Sequence, residues 1–351
     1  MKKINLLLFT CLFLITISAC RTRGQDEIKK IDITSNTISQ IEPIVNEVVI
    51  NEMSQAYGFN KGQDQILELI KKKYPSLESQ IQIAKLKFDK SFGISISIID
   101  SILASKGDEW IKVKNQLNDQ IKASVKINDY SFDQVSEFVS SVVKRANGEI
   151  PAPIIGTLLT FNPRYLKDPT LEFTDGFKFR FNSKGNEKAK GLEFHLDLPQ
   201  SWLAKDANRP NIVQKFISQN GHGSAMIMIL VLSSPEFSNL SDKDVKELAQ
   251  TENMKDMLPQ NAQFINGGFI KIDNLPGVFQ EFKLQQTQIE NELLMHTINF
   301  NLYYKDKMIS VQCSIVSTKN EEKNTDSIFM KYKELFKLVA GSLFINSQWK
   351  N

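Results

Sequence analysis

Ile150-Pro151-Ala152-Pro153 separates two stretches of a 351-residue chain whose apolar residues recur with different periods. Two prolines in three residues resist both a helix and a central strand, so the predicted boundary falls here. Downstream, Phe177, Phe179 and Phe181 alternate with Lys178 and Arg180, and Leu192, Phe194, Leu196 and Leu198 alternate with Glu193, His195 and Asp197. A period of two is that of half-buried strands. Upstream the period is helical. Asp108 precedes Trp110, Val113, Leu117 and Ile121, while Ser131 precedes Phe132, Val135, Phe138, Val139 and Val142 and Asn147-Gly148 ends the run. N-cap residue types, an i, i+3/i+4, i+7 stripe and a terminating Gly mark helices. Weaker stripes cover Ile38 to Met53, Gln63 to Lys72 and Ser76 to Phe92, with Pro75 between the last two. A helical domain of four or five helices is expected over 37–150.

After the boundary, 151–189 reads as a connecting segment with strands. Ala225 to Leu232 is an unbroken apolar run of eight, as expected of a central strand covered on both faces. A helix is predicted from Ser241 to about Leu258, its early acidic residues favoured by the macrodipole. Strands follow over Ala262 to Ile265, Phe269 to Ile272, Val278 to Gln286, Leu293 to Tyr304 and Met308 to Val316. Turns are expected at Asn266-Gly267-Gly268, Asn274-Leu275-Pro276-Gly277 and Lys305-Asp306. Asp326 is placed to cap a last helix whose Phe329, Tyr332, Leu335, Phe336 and Val339 face inward before Gly341. The fold class is α+β: a helical bundle, then a mainly antiparallel sheet layered with helices.

Phe194-His195-Leu196-Asp197-Leu198-Pro199-Gln200-Ser201-Trp202 resembles the opening strand and Pro-x-x-Trp turn of the PsbP/DcrB-like fold. The later element order, Leu275-Pro276-Gly277 and the closing Phe336 to Leu343 helix also fit, so the resemblance covers 190–346. It implies a binding or assembly role, with no common catalytic residues to carry over.

Met1-Lys2-Lys3, the apolar run Ile4 to Ile17 and small Ser18 and Ala19 before Cys20 form a signal-peptide pattern over 1–19. The run is shorter than the roughly 20 residues that span a bilayer. Ile17-Ser18-Ala19-Cys20 resembles the lipobox of bacterial lipoproteins, which implies lipidation of Cys20 and cleavage before it. Residues 20–36, polar and poor in aromatics, read as a tether. By the same resemblance Arg21, where an Asp would signal inner-membrane retention, points to the outer membrane of a Gram-negative envelope. With Cys11 in the leader and Cys20 lipidated, Cys313 alone remains, and no intrachain disulfide is expected.

The chain carries 43 basic and 40 acidic residues, and loss of Lys2 and Lys3 leaves 41 against 40. Such a balance excludes the electrostatic footprint of nucleic-acid binding. Three histidines are candidates for chemistry. His195 shares its strand face with Glu193 and Asp197, but residues in one strand row stand about 6.6 Å apart, too far to converge on a metal. A solvated face is the simpler reading. His296, in line with Ile298, Phe300 and Leu302, reads as a hydrogen-bonded core histidine, and His222 in Gly221-His222-Gly223 as a hairpin loop. Ser141-Val142-Val143-Lys144 has the Ser-x-x-Lys spacing of penicillin-recognising enzymes without their Ser-Asp-Asn or Lys-Thr-Gly partners. Phe177 to Phe181 interleaves basic and aromatic residues that a strand sends to opposite faces. Lys71-Lys72-Lys73 suits a helix C-terminus, and Cys313 a core position.

No catalytic, metal or cofactor set emerges. The favoured function is a lipid-anchored, non-enzymatic envelope module that binds an envelope protein or a small ligand. The alternatives are an envelope hydrolase or metal-dependent enzyme, which a pocket with converging polar groups would favour, and a structural assembly factor, which a flat apolar patch would favour.

Overall fold

The computed structural model describes residues 45–349, apart from 239, 289–290 and 319–321. The leader, Cys20, the tether and residues 37–44 of the helical stretch lie outside the described residues. The chain divides into two units, Met1–Ile150 and Pro151–Asn351.

In the first unit the regular elements of the described residues are helical. They are α1 (Glu47–Lys73), α2 (Glu78–Ala104), α3 (Asp108–Ser124) and α4 (Phe132–Ala146). The stripes around Met53 and over 63–72, read as separate, belong to one helix. Gly58 does not break α1 but lets α3 approach, since a Cβ there would stand 3.2 Å from Leu117 Cδ1. Asn46 caps α1 through its side chain, and Pro75 opens a short 3₁₀ turn before α2. Gly107, not Asp108, is the N-cap of α3. Ser131 and Gln134 form a reciprocal capping box on α4. Met53, Leu67, Ile70, Ile81, Phe88 and Phe92 are fully buried between these helices. Lys73 does more than complement a helix end, since its Nζ donates to the carbonyls of Ile127 and Tyr130.

In the second unit the segment expected to connect through strands opens with three helices, α5 (Ala152–Thr160), α6 (Pro163–Lys167) and α7 (Thr170–Thr174). The prolines that seemed to forbid a helix start one. Pro151 is the N-cap and Pro153 lies in the first turn, where a missing N–H costs nothing. Strand β1 (Lys178–Asn182) then pairs antiparallel with β2 (His195–Pro199), so the structural unit begins well before residue 190.

A seven-stranded sheet follows, in the order β3-β4-β5-β9-β8-β7-β6, with all pairings antiparallel. Its strands are β3 (Leu203–Lys205), β4 (Ile212–Ile217), β5 (Ala225–Ser233), β6 (Ala262–Ile272), β7 (Leu275–Gln288), β8 (Asn291–Tyr304) and β9 (Lys307–Thr318). β5 is central but buried on one face only. Ala225, Ile227, Ile229 and Val231 are fully buried, whereas Met226, Met228, Leu230 and Leu232 are half-buried. The predicted helix over 241–258 is two, α8 (Asp242–Leu248) and α9 (Thr251–Asp256), because extended Gln250 interrupts it. Helix α10 (Glu322–Gly341) closes the fold, and its Phe329, Leu335, Phe336 and Val339 are fully buried in one core with Ile298, Val311, Cys313 and Ile315. No helix of the described residues is long and apolar enough to cross a membrane.

The glycine signals turn out to mark close approach more than turns. Asn266-Gly267-Gly268 runs through β6, which is one strand with a bulge between Phe264 and Asn266. A Cβ on Gly267 would stand 2.6 Å from Met254 Sδ. The hairpin turn is made by Asp273 and Asn274, both at positive φ, and Leu275-Pro276-Gly277 already belongs to β7. A Cβ on Gly277 would run into the Asn301 carbonyl and stand 2.5 Å from Leu302 Cδ2, whereas one on Gly341 meets nothing within 4 Å. Gly277→Ala is therefore expected to destabilise the second unit by about 2 kcal/mol or more. Gly341→Ala, at the last residue of α10, should be neutral or stabilising by about 0.5 kcal/mol. Urea unfolding of the two variants checks the pair; equal effects would refute the close-approach reading.

Candidate functional site

Titratable side chains of the second unit gather at three places. In the first, His296 on β8 lies under α10. Its Nδ1 is 2.9 Å from Asp326 Oδ1 and its Nε2 3.2 Å from Glu281 Oε1. Lys333 Nζ donates to Glu281 Oε2 at 2.7 Å, Lys283 bonds to Asp326, and the His296 ring stacks on Phe329 at 3.6 Å. His296 and Glu281 are buried. Burial raises the carboxyl of Asp326, but the Lys283 and His296 bonds and charges outweigh it and hold the group below its usual range. Asp326 is thus not the cap of its helix, which begins a turn earlier, but the bridge between α10 and the sheet. A general base needs one nitrogen free for a substrate proton, and both of these meet carboxylates.

The second place is Glu172 on α7. Its Oε1 accepts from the Ser201 backbone N–H at 2.7 Å, and its Oε2 accepts from Ser201 Oγ at the same distance. Burial raises its pKa to about 7, against the lowering effect of these bonds. Tyr332 of α10, raised to about 12 chiefly by burial, lies near enough to feel this carboxylate. The adjoining backbone is strained. Gln219 and Asn220 both sit at φ 53°, followed by Gly221 at 91°, and Asn220 N–H donates to Ser201 O at 2.7 Å.

The third is the row of His195 and Asp197. The expected solvated face is instead largely covered. His195 Nδ1 is 3.0 Å from Asn346 Oδ1, and its backbone pairs with Phe344. Asp197 takes a bond from Arg180 Nε at 2.9 Å and an ion pair from Lys178 Nζ at 3.1 Å. Burial pushes its carboxyl up, but these two cations outweigh it and leave it lowered.

The other sequence candidates fall apart as chemistry. Ser141 Oγ donates to the Phe138 carbonyl at 2.6 Å within its own helix, and Lys144 is exposed. His222 sits in the loop between β4 and β5. Cys313 is fully buried, and burial pushes its thiol well up. Phe179 and Phe181 turn inward onto Phe216, and Lys178 and Arg180 outward to Asp197. Among the described residues no three His, Cys, Asp or Glu side chains are placed to hold a metal. Sequence reasoning missed Glu172, Glu281 and Lys333. Glu281 carried a signal, since it occupies the core-facing alternation of β7 two residues beyond Phe279.

Because its folded pKa lies above the unfolded value of 4.5, Glu172 contributes stability that is complete below pH 4.5 and lost as pH rises through about 7. Denaturant unfolding of wild type should weaken over that window relative to Glu172→Gln, by up to about 3 kcal/mol at about 1.4 kcal/mol per pH unit. Parallel pH profiles of the two proteins would refute this assignment.

No protein-family model matches the chain, and no curated protein matches it in sequence. Among solved structures, cyanobacterial PsbP from Synechocystis aligns over 48% of this chain and 92% of its own, at 16% identity and a TM-score of 0.31. LpqN, involved in cell envelope biogenesis of Mycobacterium tuberculosis, aligns over 49% of this chain and 93% of its own, at 9% identity and a TM-score of 0.30. The Ran-binding protein Mog1p of Saccharomyces cerevisiae aligns over 48% and 95%, at 8% identity and a TM-score of 0.32. These likenesses extend over about half of the chain, and the functional reading rests on the chain's own residues.

Proposed function

We propose that the chain is a lipoprotein of the bacterial envelope, anchored through Cys20, which acts as a non-enzymatic binding or assembly module for an envelope protein or small ligand. The observation that carries this reading is the closure of the buried titratable clusters. His296 has both nitrogens, and Glu172 both oxygens, engaged by neighbours of the fold. Groups so engaged hold α10 and α7 in place, whereas catalysis needs a group aimed at a reacting atom. The Ile17-Ser18-Ala19-Cys20 stretch supports the anchor, and Arg21 supports delivery to the outer membrane. Two or more acyl chains would hold the module at the membrane, as one chain does not.

In cells making the full precursor, the mature N-terminus is expected to be a lipidated Cys20, read by mass spectrometry, with the protein in the membrane fraction. Cys20→Ser should leave the precursor unlipidated. Recovery of an unmodified Cys20 at the N-terminus of the wild-type protein would overturn the anchor.

A further inference from the structure

Helix α2 of the first unit buries Ile81, Phe88 and Phe92 on its inner side. The outer side of such a helix is ordinarily polar. Here it carries Ile83, Leu86 and Ile94, which are 53%, 71% and 56% exposed. At about 100° per residue these three fall within one arc of about 100°, together with exposed Lys87 and Lys90. The arc extends about 16 Å along the helix from Ile83 to Ile94. No carboxylate enters it, because the acidic residues of α2, Glu78, Asp89 and Asp100, share a separate side. The lysines divide in the same way. Lys85 lies 3.2 Å from Glu68 and 3.8 Å from Asp64, both on α1, whereas Lys87 and Lys90 form no ion pair among the described residues.

We propose that this face of α2 rests on the membrane that holds the lipid anchor. Ile83, Leu86 and Ile94 enter the boundary between headgroups and acyl chains, and Lys87 and Lys90 meet anionic headgroups. Two observations select a lipid surface. Aliphatic side chains and unpaired cations on one face, with the acidic side chains on another, are what an anionic interface binds. Cys20 also stands 25 residues before residue 45, the first described, so even a fully extended chain keeps the first unit within about 90 Å of its anchor. A second copy fits this face poorly. Antiparallel pairing of two such stripes about their middle would bring Lys90 against its own counterpart, and like charges so placed repel. The inference rests on the reading of the chain as a lipid-anchored module and adds a second contact with the same membrane.

The test is co-sedimentation of the mature chain carrying Cys20→Ser, made without leader or lipid, with two kinds of vesicle. One is phosphatidylcholine alone, and in the other about a third of the lipid is phosphatidylglycerol. Binding to the anionic vesicles is expected, and at least about tenfold weaker binding to the neutral ones. Ile83→Ser with Leu86→Ser should weaken anionic binding about tenfold or more. Lys87→Gln and Lys90→Gln should each weaken it about fivefold. All four side chains are exposed, so the variants should keep the thermal stability of the wild type. Vesicle binding that survives both pairs of substitutions would overturn the proposal. Binding to neither vesicle would also overturn it and leave the face to a protein partner. So would a wild-type dimer that Leu86→Ser dissolves, which would give the face to a second copy. The chain tested has no lipid, so each of those results leaves the anchoring of Cys20, read by mass spectrometry, untouched.

Discussion

The stack of His296 on Phe329, 3.6 Å apart and within 4° of parallel, is where a network of charges meets the apolar core of the second unit. Helix α10 could bury Phe329, Leu335, Phe336 and Val339 against the sheet in more than one register, because hydrophobic burial is not directional. The carboxylates fix the register. Asp326 and Glu281 approach opposite nitrogens of one ring, and Lys283 and Lys333 approach those carboxylates from β7 and α10. Sliding α10 by one turn, about 5.4 Å, would leave buried Glu281 and His296 without the partners that Lys333 and Asp326 supply. Hydrophobic area makes the helix dock, and the polar network decides where.

Ser201 has the same organising part on the other side of the core. Its N–H and hydroxyl donate to Glu172, and its carbonyl accepts from Asn220. One residue in the turn after β2 thus ties α7 to the loop between β4 and β5. Gln219 and Asn220 occupy the left-handed region, which costs a non-glycine residue about 1 kcal/mol or more. The loop keeps that conformation because Asn220 is held twice, by its bond to Ser201 and by packing on α5. Gly156 has no side chain where a Cβ would come within 2.5 Å of Asn220 Oδ1.

What the sequence made legible follows from which forces are local. Ser131 with Gln134, and Phe179 and Phe181 alternating with Arg180, announce a helix start and an amphipathic strand because capping and pleating act within a few residues. The two-layer α+β order could be read for the same reason. The helices over 152–174 could not, because Pro151 and Pro153 were weighed as breakers without regard to position, and a first-turn proline favours what an interior one forbids. Gly267 and Gly277 look like turn residues until the partner that crowds them is known, and that partner is distant in sequence. The clusters were legible only in part. His296 was placed in the core by its alternation with Ile298, whereas its carboxylates come from 15 and 30 residues away.

The buried charges also differ in how they reach neutrality. Glu281 faces Lys333 and His296, and Asp197 faces Arg180 and Lys178. Among the described residues no cation is bonded to Glu172, but a carboxyl can take up a proton, and its raised pKa is that escape. A guanidinium has no equivalent route, since it holds its proton at any pH a protein experiences. Arg145 instead keeps part of its side chain in water, lays its guanidinium against the rings of Phe59 and Phe138 and donates to Gln63 Oε1. Aromatic faces contribute on the order of 1–2 kcal/mol each, against several kcal/mol for taking an ion out of water. Two such faces, the bond to Gln63 and the water that still reaches the side chain are together of the same order as that cost, so the half-buried cation is balanced within the helical unit's own residues.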